Sequence, residues 1–245
     1  MSPAIALATA RRVLLQLRGD PRTIALLVVV PSALLVLMRF VFDDNSAVFQ
    51  RLGVPMLGIF PLVSMFLVTS IAMLRERTTG TLERLMTMPL AKLDILIGYG
   101  IAFATMAIVQ AGVASAVGFG LLGLDVAGPV WMVVALAVAN ALLGMSLGLF
   151  LSAFASTEFQ AVQFMPAFLL PQLLLCGLIA PRDSMAKLLR WASDVLPMSY
   201  AYDALARVAR EPDPGGGVAV DAAVLIAATL LALCLGAATL RRRTG

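Results

Sequence analysis

The sequence predicts an all-α membrane protein with six transmembrane helices. Three observations carry this. Hydrophobic residues make up 61% of the 245 and charged residues only 13%, against about 45–50% and about 25% in soluble domains. Mean hydropathy is +0.97; a compact soluble fold cannot hide that much apolar surface, so lipid must be part of the solvent. Six apolar runs are each near the roughly 20 residues a helix needs to cross the hydrocarbon. Barrel strands would alternate over about ten residues, whereas these runs are apolar on every side. Composition thus excludes a cytosolic enzyme, a disordered chain and a secreted disulfide scaffold. The absence of histidine removes chemistry that needs imidazole as base or ligand. Cys176 and Cys234 lie inside apolar runs, where a thiol packs as a small hydrophobe.

Residues 3–19 read as an amphipathic interfacial helix. Leu7, Ala10, Leu14 and Leu17 share a face flanked by Arg11 and Arg18; Gly19 can close the helix and Pro21 follows. No cleavable signal peptide is expected, since Arg11 and Arg12 precede any long apolar stretch. The first span is 24–42, with Arg39 near its end, one turn from Asp43. The second is 54–74.

The loop after the second span is the most informative segment. In 76–90, Gly80 permits a sharp turn and Thr81 can cap a new helix. Glu83 falls in the first turn, where the dipole favours an anion. Leu82, Leu85 and Met86 share one face, and Pro89 stops the helix. A solvated connector has no use for that apolar face, so the segment predicts a protein partner.

Spans three to six follow at 95–122, 130–154, 159–180 and 222–240. Ser156-Thr157-Glu158 makes a tight hairpin; Thr157 can cap the fifth span, and Glu158 reads as an interfacial acid. Pro166 and Pro171 should kink that span. Gln110, Asn140, Gln160, Gln163 and Gln172 are candidates for a translocation pathway or for interhelical hydrogen bonds. In the long segment 181–217, Met185, Leu188, Leu189 and Ala192 suggest a helical face, with Trp191 and Tyr200 as interfacial aromatics. Pro212 to Gly217 reads as a flexible link into the last span.

An even number of spans places both termini on one side. Eleven of the 18 basic residues fall in the segments then assigned to the inside, and seven in those outside, which orients both termini to the cytoplasm. The pI near 9.6 therefore reflects topology rather than nucleic-acid binding.

Two enzyme-like motifs fail on context. Gly118-Phe119-Gly120-Leu121-Leu122-Gly123 matches GxGxxG but ends an apolar span, with no preceding strand. Gly144-Met145-Ser146-Leu147-Gly148 matches GxSxG inside a span, with no histidine to activate the serine. Its glycines read as a small-xxx-small packing face. No GxxxxGK[ST] occurs. A secondary transporter more often carries ionisable residues within its spans, and these are almost free of them. A structural scaffold would not need the apolar-faced helix at 76–90.

The run Glu76-Arg77-Thr78-Thr79-Gly80-Thr81-Leu82-Glu83-Arg84-Leu85 to Pro89 resembles the ABC-2 type permeases, the membrane subunits of ATP-binding-cassette exporters. A second match comprises Gly177, Pro181, Trp191, Leu196-Pro197, Tyr200 and Asp203-Ala204-Leu205. The sequence departs from the family at Tyr99, where a lysine often follows the glycine, and near Met185–Ala186, where a proline is frequent. The resemblance implies that 76–90 is a coupling helix docking in a cleft of a separate ATPase. Leu82, Leu85 and Met86 would supply contact area, with Glu76, Glu83 and Arg84 setting register beside Arg77, Gly80 and Thr81. It also implies short outer helices over 182–210 that cap the pathway, two copies of a cytoplasmic ATPase that carries ATP and Mg, and a second permease subunit, identical or homologous. The chain itself would hold no cofactor and catalyse nothing. An amphiphilic drug or lipid exported across the plasma membrane is the implied cargo.

Overall fold

The structure, a computed structural model, describes residues 3–81 and 92–239. Among these there are nine α-helices and no strand. They are α1 (Pro3–Arg18), α2 (Pro21–Val41), α3 (Ser46–Thr78), α4 (Lys92–Ala116), α5 (Val130–Leu151), α6 (Glu158–Leu175), α7 (Lys187–Val195), α8 (Pro197–Arg210) and α9 (Gly215–Thr239). A π-helical turn over Val117–Leu121 extends α4.

Five described helical segments are long and apolar enough to cross a membrane: α2, α3, α9, α5, and Ile97–Leu121 in α4 with its π turn. The fifth expected crossing, 159–180, is not among them. It forms α6, 18 residues or about 27 Å long, diluted by three glutamines, two prolines and Glu158. The chain then bends over residues 176–180. In contrast, α3 is longer than its apolar run. Its 33 residues reach about 50 Å, against about 30 Å of hydrocarbon, so it must project beyond the bilayer.

The core centres on α3 and α5. Sixteen residues of α3 and twelve of α5 are buried. Gly144 and Gly148 let the helices touch. A Cβ on Gly144 would lie 2.1 Å from the Leu62 carbonyl oxygen, and one on Gly148 would lie 2.5 Å from that of Phe66. The small-xxx-small face expected from the sequence is thus the central seam. By contrast, Leu26, Val29 and Leu37 of α2 and Ile226, Leu230 and Leu231 of α9 stay exposed, as lipid-facing residues do.

The structure adds to the sequence reading at α1 and corrects it before α9. The face of α1 turned to the bundle is Ala6, Thr9, Ala10 and Val13, with Leu14 and Leu17 packed beside it and Leu7 60% exposed. The small residues face in because α1 lies against Gly98 of α4, where a Cβ would come within 2.5 Å of Thr9 Cβ. The correction concerns the link expected over residues 212–217: Gly215–Gly217 open α9 instead. Asp221 of α9 lies 3.4 Å from Arg207 of α8, and a Cβ on Gly217 would meet that guanidinium at 2.9 Å. Packing against α8 holds this turn helical despite its glycines.

Candidate functional site

Polar residues gather at two opposite ends of the bundle. One is the end of α3, where 75–81 lead toward the predicted coupling segment. Thr79 closes α3: its N–H donates to the Arg75 carbonyl at 2.9 Å and its hydroxyl to the same oxygen at 2.8 Å. Gly80 then takes φ +71, the left-handed conformation that ends helices and suits glycine. The Thr79 and Thr81 hydroxyls are 3.0 Å apart. Leu82, Glu83, Arg84, Leu85 and Met86 lie outside the described residues.

Adjacent residues tie this end of α3 in two directions. Glu76 Oε1 lies 3.5 Å from Arg12 Nη1 of α1. Arg12 also donates to the Tyr99 hydroxyl, and its guanidinium carbon sits 5.7 Å from the Tyr99 ring centroid. Tyr99 is buried. A neutral ring and hydroxyl thus receive the Arg12 cation. Arg75 grips Glu158, the first residue of α6, in a two-pronged pair: Nε donates to Oε1 at 2.7 Å and Nη2 to Oε2 at 3.1 Å. That hydrogen bonding holds the Glu158 carboxyl below the usual glutamate range. As expected from the sequence, Thr157 caps α6, its hydroxyl oxygen accepting from the Gln160 N–H at 3.2 Å. Arg77 is partly buried, and its Nε has no hydrogen-bond partner among the described residues.

The other end holds a cleft of about 440 Å³ lined by residues including Arg51, Gly177, Arg182, Asp194, Tyr202 and Asp203. Arg182 bridges two helices, pairing with Asp194 of α7 and, at 2.6 Å, with Asp203 of α8. Arg190 pairs with Asp183 at 2.9 Å, and the Tyr200 hydroxyl donates to the Asp194 carbonyl at 2.7 Å. Near Arg51, the Gln50 side chain clasps the α4–α5 loop. Its amide donates to the Gly123 carbonyl and its oxygen accepts from the Asp125 N–H, both at 2.8 Å. The Arg39–Asp43 pair expected from the sequence forms at 2.9 Å.

Burial raises the Asp203 carboxyl above the ordinary aspartate range, against the pull of Arg182. A raised acid contributes most to stability when protonated, and that contribution is lost as pH rises through its shifted value. Arg182→Ala, which leaves Asp203 half-buried without its cation, should therefore cost about 1–3 kcal/mol at neutral pH. The loss should shrink on acidification toward pH 4, as seen by thermal unfolding in detergent at both pH values.

The five polar residues considered for a pathway are not joined to one another by any hydrogen bond among the described residues. Gln110, Asn140 and Gln172 are buried, Gln160 is partly buried and Gln163 is exposed. Gln110 donates to the Ser64 hydroxyl of α3, and Gln172 to the Phe168 carbonyl at 3.2 Å. Gln160 accepts from the Ser156 N–H at 2.8 Å. Both amide atoms of Asn140 are buried without partners among the described residues, in a tight contact with Gly58 of α3, beside Leu205 of α8.

Sequence reasoning missed the roles of Arg12, Arg75 and Arg182. Each is an arginine outside the apolar runs, unmarked until tertiary structure brings its partner from 12 to 87 residues away.

The chain is similar to known transport proteins. It is 26% identical over 163 residues to ABC transporter G family member 20 of Dictyostelium discoideum, covering 66% of this chain and 22% of that protein. It is 29% identical over 141 residues to the probable multidrug ABC transporter permease YbhR of Escherichia coli strain K12, covering 58% of this chain and 38% of the relative. The match thus spans less than two fifths of either relative's length. Five apolar helices long enough to cross a bilayer, and a family model described as ABC-2 type transporter that matches residues 5–208, together mean that this multi-pass membrane chain belongs to the ABC-2 type transporter family.

Proposed function

We propose that the chain is the membrane-spanning subunit of an ATP-driven exporter, powered by a separate ATPase subunit. The observation that carries this reading is the projecting end of α3, anchored through Glu76 to α1 and through Arg75 to α6. A loop at the end of a long helix, tied to two neighbours, is suited to receive force and pass it into a bundle. Residues 76–90 would dock in the ATPase through Leu82, Leu85 and Met86, with Glu76, Arg77, Gly80, Thr81, Glu83 and Arg84 setting the approach. Two ATPase copies, each holding ATP and Mg, would drive two permease subunits between inward-open and outward-open states. The chain would catalyse no reaction itself.

In this reading α6 crosses the plasma membrane as the fifth of six spans, and both termini face the cytoplasm with the 76–90 loop. Segment 182–210 caps the outer side. The cargo is an amphiphilic drug or lipid; the name of the bacterial relative, a probable multidrug permease, supports this class. Gln110, Asn140, Gln160, Gln163 and Gln172 are polar points along the route. Asn140 carries the clearest signal, because a buried amide without partners costs free energy and gains from any conformation that satisfies it.

Leu82→Asp with Leu85→Asp should abolish co-purification with the ATPase while leaving the permease folded. Pull-down of the ATPase and size-exclusion chromatography of the permease read the two outcomes. Normal assembly and transport in that variant would remove the docking role of 76–90.

A further inference from the structure

We propose that Arg75 and Glu158 are a positioning pair that carries displacement of the α3 end into α6, and through α6 to α7 and α8. The proposal rests on the docking reading above and extends it to the receiving helix. Three observations support it.

α6 is weakly held along its length: only Ala161, Leu169 and Gln172 of its 18 residues are buried, compared with sixteen of 33 in α3. It is instead pinned at its ends. At the start, both carboxylate oxygens of Glu158 accept from Arg75. At the other end, the Ser193 hydroxyl of α7 donates to the Leu175 carbonyl at 2.8 Å and lies 2.9 Å from the Ser199 hydroxyl of α8. Between the two pins, Pro166 and Pro171 each remove a backbone hydrogen bond, so α6 can bend without breaking its end contacts.

The energetics favour positioning over stability. The Arg75 and Glu158 side chains are 54% and 51% exposed, and exposed pairs contribute little to folding. A bidentate guanidinium–carboxylate pair nevertheless fixes distance and orientation between two helices. Because Arg75 directly precedes Glu76, which pairs with α1, any tilt of the α3 end is felt at once by α6 and α1.

The test uses the full permease–ATPase complex in phosphatidylethanolamine–phosphatidylglycerol nanodiscs. A spin label is placed at exposed Leu170 of α6 through Leu170→Cys, with Cys234→Ala; the remaining Cys176 is buried. The readout is the change in label mobility on trapping with ATP and vanadate. Glu158→Gln should reduce that change about five-fold or more, with co-purification and ATP hydrolysis retained. The charge swap Arg75→Glu with Glu158→Arg should restore it to within about two-fold, since the pair is rebuilt in reverse. An unchanged response in Glu158→Gln overturns the proposal and leaves docking intact. So does a swap that fails to restore the response, or an unsubstituted complex whose α6 label does not respond. Failure of the unsubstituted chain to co-purify with its ATPase overturns the docking reading, and the proposal with it.

Discussion

Gly144→Leu is expected to abolish recovery of folded protein. The α3–α5 seam allows no side chain at this position: a Cβ alone would come within 2.1 Å of the Leu62 carbonyl oxygen and 2.9 Å of its Cα. The obstructing atoms are backbone, so no rotamer change makes room. Overpacking usually costs about 1–3 kcal/mol where side chains can yield. Here α5 must separate from α3, and the apolar contacts around the seam, including Leu62, Phe66, Leu143 and Leu147, are lost with it. Against a total stability of about 5–15 kcal/mol, that is enough to unfold the bundle. Gly144→Ala should fold in reduced yield with a lowered melting temperature. Gly112→Ala is the control, because a Cβ there meets nothing within 4 Å. It should be neutral or stabilising by about 0.5–1 kcal/mol from helix propensity. Fluorescence-detected size exclusion with a thermal ramp ranks the three variants. A monodisperse, wild-type-like Gly144→Leu would mean that α3 and α5 do not meet along this seam.

Gly98→Leu should release α1 while sparing the α3–α5 core. A Cβ at residue 98 would lie 2.5 Å from Thr9 Cβ and 2.8 Å from the Ala6 carbonyl oxygen. A leucine there wedges α1 off α4. The displacement also pulls Arg12 away from Tyr99 and Glu76, its two partners, so the end of α3 loses one of its two ties. Faster amide exchange is expected across α1 and in the last turn of α3, with little change in α5. The melting temperature of the bundle should fall only modestly, because α1 buries just Ala6, Thr9, Ala10 and Val13. In the proposed complex with an ATPase subunit, ATP hydrolysis should run with weakened control by the permease. Exchange mass spectrometry showing α1 as protected as in the parent protein would contradict the contact.

Much of the fold was legible in the residue order. Long apolar runs can only be helices where no water is available to pair the backbone, so the all-helical class, the placement of most spans and the cap at Thr157 followed directly. The central seam was readable because glycines four apart have few other uses inside an apolar helix. Helix ends were less legible. α3 continues through polar residues at both ends of its apolar run, because helix propensity and tertiary contact, not hydropathy, decide where a helix stops. The face that α1 turns to the bundle was not legible for a related reason: close approach to Gly98 admits only small residues, and nothing local marks that contact.

The candidate site divides in the same way. Local chemistry marked the sharp turn at Gly80, since a glycine acts on its immediate neighbours, but not the run of α3 through Thr78 before it. It could not identify which carboxylates meet Arg12, Arg75 and Arg182, because ion pairing depends on distance in space, and those partners lie 64, 83, and 12 and 21 residues along the chain. Composition alone fixed the solvent in which this protein folds and the helical form its backbone must take there. The packing of α1, α3 and α6 decided which charges became neighbours, because only the folded bundle brings their few ångströms of reach together.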